Sequence, residues 1–219
     1  MPRWASFDCY GTLIDWNSGI RSTFARLWPE SNADELLARY HELEREVERE
    51  DPSLPYREVM RRCLHGTAER EALLLAPEQE GALGDSLPSW QPFPEVSGTL
   101  AELRRRGFSL AVLSNTDPDF LNASLRLIGV PVDERVIASE IGSYKPAHGH
   151  WRVFFERTGA AGDEHAHVGA SLFHDIAPCE ELGLRSVWIN RLDEEPVPVP
   201  TRELPSLEQL PDVLEELLT

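Results

Sequence analysis

Cysteine is scarce in this chain, with three in 219 residues. Cys9, Cys63 and Cys179 are scattered and odd in number, so neither a disulfide framework nor a metal-ligand spacing emerges. No apolar run is long enough to span a bilayer. Internal repeats are absent as well. Positive charge is in deficit: 21 Lys and Arg stand against 38 Asp and Glu, for a net charge of −17. A surface that acidic repels phosphate backbones and anionic membranes, which argues against nucleic-acid and membrane partners. An anionic substrate would need a locally positive pocket. Residues 1–6 leave no room for a signal peptide ahead of the polar loop at Asp8. With its scattered cysteines, the chain is expected to be cytoplasmic.

Enough is present for a sizeable core, since hydrophobic residues make up 41%. Residues 3–8, 108–114, 134–138, 165–170 and 185–190 are short apolar runs that read as buried strands. Between the later ones lie helical patterns, Val96 to Arg106, Pro118 to Ile128, Ala147 to Thr158 and Ile176 to Leu182. Each is closed by the glycine expected just past a helix end. Strand–helix alternation predicts an α/β protein with a Rossmann-like parallel sheet and helices on both faces. Residues 16–92 break the rhythm and contain no convincing strand. Asn32 followed by Glu35 reads as an N-cap, after which Leu36, Tyr40, Leu43 and Val47 recur at helical spacing. Arg57 to Leu75 and Pro77 to Leu87 read as helical too. The organisation expected is a core of residues 1–15 and 93–219 with a helical cap of residues 16–92 inserted after the first strand. Glu194 to Pro200 reads as an extended surface loop and Ser206 to Leu218 as a closing helix.

Four strand-ending segments carry polar groups: Asp8-Cys9-Tyr10-Gly11-Thr12, Leu113-Ser114-Asn115-Thr116, Ser143-Tyr144-Lys145-Pro146, and His167-Val168-Gly169-Ala170-Ser171-Leu172-Phe173-His174-Asp175. In a parallel sheet all four project from one edge, where ligands bind. Asp8 at a strand's carboxyl end is a candidate nucleophile, with Gly11 allowing the sharp turn and Thr12 supplying a hydroxyl.

In this order, and with a helical insert after the first, these loops make the sequence resemble the haloacid dehalogenase superfamily, most closely its L-2-haloacid dehalogenase branch. The shared features are the Asp-x-Tyr-Gly-Thr-Leu opening, the Leu-Ser-Asn and Tyr-Lys-Pro loops and the late Trp188-Ile189-Asn190-Arg191. The resemblance implies an aspartate that attacks carbon, a covalent ester intermediate, no metal and no cofactor. It implies a metal-independent hydrolase cleaving the carbon–halogen bond of a small 2-haloalkanoic acid, an anionic substrate. Dimers are common among the proteins it resembles. The alternatives are a phosphatase of the same superfamily, or a non-catalytic relative, with a degraded metal site.

Two residues favour the first of these. A superfamily phosphatase would use an acidic residue at the start of the fourth loop to help hold Mg²⁺, and here that position is Ala170. It would use a second acid in the first loop to protonate its leaving group, and here that position is Tyr10. A halide leaves without a general acid. Lys145 is then expected to neutralise Asp8, Thr12 and Ser114 to donate to Asp8 or the substrate carboxylate, and Asp175 to hold Lys145 or orient the hydrolytic water. Ser171 would add a polar contact, His174 is an extra group that could act on water, and Trp151 stands where the resembled branch tends to carry Tyr. Arg39, in the first helix of the cap, is the expected halide receptor, with Asn115 and Trp16 as the other groups placed to meet the halide. Arg45 and Arg49 read as solvated, Cys9 as packing beneath the loop, and His165 and His167 as structural.

Overall fold

The computed structural model describes residues 3–52 and 54–218. Met1, Pro2 and Thr219, at the ends of the expected core segments, and Ser53 of the expected cap lie outside the described residues. The six strands are β1 (Arg3–Phe7), β2 (Phe108–Ser114), β3 (Glu134–Ile137), β4 (His165–Gly169), β5 (Arg185–Ile189) and β6 (Arg202–Leu204). They form one parallel sheet in the order β3-β2-β1-β4-β5-β6. Because β1 is central and the chain winds first to one side and then to the other, the order reverses beside β1. A crevice opens at such a reversal, outside the carboxyl ends of the strands.

The alternation of side chains along the strands builds two cores. Ala5 and Phe7 of β1 with Leu110 and Val112 of β2 face one side. Trp4 of β1 with Ala111 and Leu113 of β2 face the other, against Trp151 and Phe154. The edge strand β6 was not expected from sequence. Its three residues are exposed, exposed and buried, too short a run to display a period of two.

Between β1 and β2 the chain forms α1 (Trp16–Leu27), α2 (Ala33–Glu50), α3 (Tyr56–Arg70) and the short α4 (Ala82–Ser86). Asn32 caps α2 by accepting from Asp34 N, and its amide donates to Glu35. The expected helix to Leu75 stops at Arg70, where Ala72 adopts φ +54°. The pattern from Pro77 to Leu87 is broken into short 3-10 and α turns around Pro77 and Pro88. Helix α3 begins after Pro55 without a local side-chain cap. Its first N–H groups are met from the sheet layer instead, since Asp117 accepts from Tyr56 N at 3.0 Å and from Arg57 N at 2.9 Å. A carboxylate after β2 thus ties the inserted helices to the sheet edge.

The later helices are α5 (Val96–Arg105), α6 (Pro118–Ile128), α7 (Ala138–Ile141), α8 (Gly149–Thr158), α9 (Ala177–Glu181) and α10 (Leu210–Leu217). A single π turn, Leu172–Ile176, precedes α9.

Two core histidines set an acid limit on this fold. His165 on β4 pairs through Nε2 with Ser6 Oγ at 2.7 Å, and His150 on α8 donates to Ser114 O at 3.2 Å. Burial, aided by nearby His167 and Lys145 respectively, lowers both pKa values from 6.5 to about 3. Below 6.5 the unfolded chain takes up protons that the folded chain refuses, so stability is lost as pH falls from 6.5 toward 3, by about 1.4 kcal/mol per histidine per pH unit. The urea midpoint should therefore drop between about pH 7 and about pH 5, above the range of ordinary carboxylates. A midpoint that is flat across this interval would contradict the assignment.

Candidate active site

Asp8 immediately follows β1, and its N–H donates to Val168 O at 2.9 Å, so its backbone is fixed to β4. The chain then turns through Gly11 at φ +91°, a conformation that side chains disfavour. The turn brings Thr12 Oγ1 back to donate to Asp8 Oδ2 at 2.9 Å. Thr12 Oγ1 also accepts from Ala170 N at 2.9 Å, which joins the first loop to the fourth.

Lys145 Nζ donates to Asp8 Oδ1 at 2.9 Å and to Asp175 Oδ1 at 2.6 Å. Its ammonium is 1% exposed and Asp175 is fully buried. Burial opposes the Lys145 charge, yet the pull of Asp175 and Asp8 raises its pKa above that of a free lysine. Burial also opposes the Asp175 charge, but Lys145 and His167 bring its pKa well below the usual carboxylate range. Burial is the largest influence on Asp8 and pushes its pKa up; Lys145 offsets part of the rise and Asp175 adds to it. The backbone of Lys145 is clamped by Asn115, whose Oδ1 accepts from Lys145 N at 2.7 Å and whose Nδ2 donates to Lys145 O at 3.0 Å. Asp175 accepts further from Ser171 N at 3.2 Å, and His167 Nε2 is 3.2 Å from its Oδ1.

A cavity of about 660 Å³ opens over this cluster, lined on the sheet side by Asp8, Tyr10, Ser114, Asn115, Lys145 and Asp175. Trp16, Ser171 and His174 line it too. Ser114 Oγ is buried at the cavity wall with no hydrogen-bond partner among the described residues. Trp16 lies flat on His41 at 4.8 Å. The Tyr10 hydroxyl turns away to Ser124 Oγ at 3.1 Å, and its ring stacks on Tyr56.

Two expectations are corrected. Arg39 does not reach the cavity: it pairs with Glu42 and with Glu71, the latter at 3.1 Å, on the outer side of α2. The residues of α2 that do line the cavity are His41, Glu44, Arg45 and Glu48. Their spacing of three, four and seven defines one helix face, and Arg39 lies about 200° around the axis from His41. Arg45 is exposed, as expected, and is also the α2 arginine that lines the cavity. Its Nε donates to His41 O, and no carboxylate among the described residues lies at ion-pair distance from it. Trp151 is also misplaced as a substrate contact. It is 1% exposed, packed with Trp4, Ala111 and Leu113 on one face of the sheet and edge-on to His167, and it does not line the cavity. Sequence reasoning missed Glu44, Glu48, Tyr56 and Arg21, which line the cavity as well. The polar stripe at 41, 44, 45 and 48 was visible in the sequence, but a stripe alone does not say that it borders a cavity rather than solvent.

The residues present do not fit a divalent cation. Among the described residues no group of three His, Cys, Asp or Glu side chains could hold one. Position 170 offers a methyl group, its N–H is taken by Thr12 and its carbonyl accepts from Trp188 Nε1 at 3.0 Å.

Residues 3–183 match the family model of the haloacid dehalogenase-like hydrolases, and the chain belongs to that family. It is 27% identical over 228 residues to (S)-2-haloacid dehalogenase 1 of Pseudomonas sp. strain CBS-3, covering 95% of this chain and 94% of that one. A stretch of 103 residues is 34% identical to phosphoserine phosphatase of Thermus thermophilus, covering 45% of this chain and 41% of that enzyme. The L-2-haloacid dehalogenase of Xanthobacter autotrophicus, solved with chloropropionic acid covalently bound, superposes with a TM-score of 0.84 at 20% identity, over 98% of this chain and 99% of that one. This likeness shows the shared fold.

The close approach of the fourth loop to its own carboxylate generates a test. A Cβ at Gly169 would lie 2.4 Å from the Asp175 carboxyl group. Gly169→Ala should push Asp175 off Lys145 and destabilise the fold by about 1–3 kcal/mol, as overpacking does. Urea denaturation measures it, and unchanged stability would mean that the loop can yield.

Proposed function

We propose that this chain hydrolyses the carbon–halogen bond of a small 2-haloalkanoic acid through an ester on Asp8, without a metal ion. The observation that carries the reading is the Asp8–Lys145–Asp175 cluster, in which an ammonium meets the nucleophile while Ala170 stands where a metal-binding acid would. Full-length similarity to a 2-haloacid dehalogenase supports it.

The chemistry follows from the groups present. Asp8 carboxylate attacks C2 of the substrate, the carbon–halogen bond breaks and halide leaves with the bonding pair. Lys145 and Thr12 orient the attacking carboxylate through its two oxygens. The open Ser114 hydroxyl and first-loop N–H groups meet the substrate carboxylate. Water then attacks the ester carbonyl of Asp8, the acyl–oxygen bond breaks, and the 2-hydroxy acid leaves with Asp8 restored. No general acid is needed for halide departure, consistent with a Tyr10 hydroxyl engaged by Ser124. The helices of residues 16–92 act as the cap, closing the cavity over a small anionic substrate. Two arginines of that cap line the cavity; Arg21 is paired with Asp34, and Arg45 meets the departing halide. The acidic surface and scattered, buried cysteines accord with a cytoplasmic enzyme. The local likeness to a phosphatase keeps phosphate-ester hydrolysis as the second reading.

Halide release from 2-chloropropionate, measured beside hydrolysis of p-nitrophenyl phosphate and with and without EDTA, separates the two. The expected result is halide release that survives EDTA. Loss of turnover in EDTA, restored by Mg²⁺, would favour the phosphatase.

Asp8→Asn should abolish turnover, because an amide is a poor nucleophile. Arg45→Gln should lower kcat/KM by roughly 100-fold, the scale of losing one preorganised stabilising group, while Arg39→Gln leaves it near wild type. The reverse ranking would overturn the placement of the halide receptor.

A further inference from the structure

Ester hydrolysis needs a base for the attacking water, and the fourth loop offers two candidates side by side. Asp175 is poorly suited. It is fully buried, and both of its oxygens are committed: Oδ1 to Lys145 and His167, Oδ2 to the Ser171 N–H. Lys145 and His167 hold its pKa low against the effect of burial, which weakens it further as a proton acceptor.

His174 is the more accessible of the two. It lines the cavity with Asp8, and its side chain is 20% exposed. Its imidazole is held between the two layers. On the sheet side, Ser171 Oγ lies 3.1 Å from Nδ1 and accepts from His174 N at 3.0 Å. On the helical side, Glu48 Oε2 lies 3.3 Å from Nε2. Glu48 is itself 7% exposed, on the cavity face of α2, with Oε1 3.5 Å from Asn115 Nδ2. The arrangement is an imidazole whose far nitrogen faces a buried carboxylate and whose near nitrogen meets only a neutral hydroxyl. Glu48 thus lies at ion-pair distance from the ring without a hydrogen bond to it, and its contact with Nε2 and that of Ser171 with Nδ1 hold the ring plane at the cavity wall. The π turn at Leu172–Ile176 carries both residues to the cavity wall, with His174 part-exposed and Asp175 buried.

We infer that His174, oriented by Glu48 and Ser171, is the base that activates water for hydrolysis of the Asp8 ester. The inference rests on the aspartyl-ester reading above. His174 takes one proton from water as the water oxygen bonds to the Asp8 carbonyl carbon. When the tetrahedral adduct collapses, the bond from that carbon to the alkoxide oxygen breaks. The alkoxide takes the proton from His174 and leaves as the 2-hydroxy acid. Asp8 loses its remaining proton to solvent. Glu48 is a positioning residue that never meets the substrate's reacting atoms.

Rapid quench with 2-chloropropionate tests the assignment, reading halide and the mass of the Asp8 peptide together. In His174→Gln, one equivalent of halide per enzyme should appear at the wild-type rate. Steady-state turnover should then fall by about 100-fold or more, the usual contribution of a general base. The ester should accumulate on Asp8, and added imidazole should restore turnover. Glu48→Gln keeps the imidazole and should slow ester breakdown more mildly, with the same intact burst. It guards against misfolding of the first variant. Normal turnover in both variants, beside a wild-type burst, would overturn this inference alone. Equal slowing of burst and turnover, without ester accumulation or rescue, would overturn it in favour of a latch between the layers. A wild-type chain that forms no ester and releases no halide would overturn both this inference and the reading beneath it.

Discussion

One ammonium shared by two carboxylates governs the centre of this molecule. Lys145 has almost no contact with water, and its charge is tolerable only because Asp8 and Asp175 lie within 2.9 Å of it. Removing one partner from such a buried group commonly costs about 3–5 kcal/mol, because the remaining charge is left uncompensated. Much of the surrounding structure exists to hold these three groups in register. Asn115 clamps the Lys145 backbone from the end of β2, Thr12 steers the free oxygen of Asp8, and Gly169 leaves room for Asp175. Each contribution comes from a different strand end, so the parallel sheet is what makes the cluster possible.

The same cluster places a fixed positive charge beside Asp8. The ammonium is covalently attached to the fold and reaches Asp8 Oδ1 at 2.9 Å. It is a point charge with three donors, and two are committed to carboxylates. The fourth loop joins in through Ala170, whose N–H donates to Thr12 Oγ1. The helical layer then adds polar groups of both signs along one face of α2. Glu44 is pushed well above the usual carboxylate range, by burial first and by nearby Glu48 second. The cavity is therefore uneven in charge. Arg45 and Arg21 stand among its lining groups, and Glu44 and Glu48 are buried in its wall.

Much of the site was legible because its residues lie in short segments after apolar runs. Asp8, Thr12, Ser114, Lys145 and Asp175 all fall in such segments, and strand-end loops of a parallel sheet converge on one edge whatever the details of packing. Arg39 failed for a different reason. Its helix was recognised, though as the first of the inserted segment, where α1 in fact precedes it. The choice among Arg39, Arg45 and Arg49 depends on the rotation of that helix about its own axis. A polar stripe and an apolar stripe side by side do not say which polar residue borders a cavity and which borders solvent. The partners that hold Arg39 outward, Glu42 and Glu71, include one on the far side of a turn between helices. Trp151 failed similarly, since six residues after Lys145 the chain has already entered α8, which packs Trp151 on one face of the sheet.

The sequence by itself determined the alternation of strands and helices, the helical interruption after the first strand, and the four polar loops with their unusual Tyr10 and Ala170. These are local properties, set by period, by glycine and proline, and by residue identity at a strand end. Only the tertiary structure decided that Asp175 is sealed while His174 opens on the cavity, that Asp117 caps a helix of the inserted layer, and that Arg45 rather than Arg39 faces the site. Those outcomes turn on helix rotation and on contacts between residues far apart in the chain. Neither leaves a mark in local sequence, because the same side chain can satisfy its charge on either side of a helix.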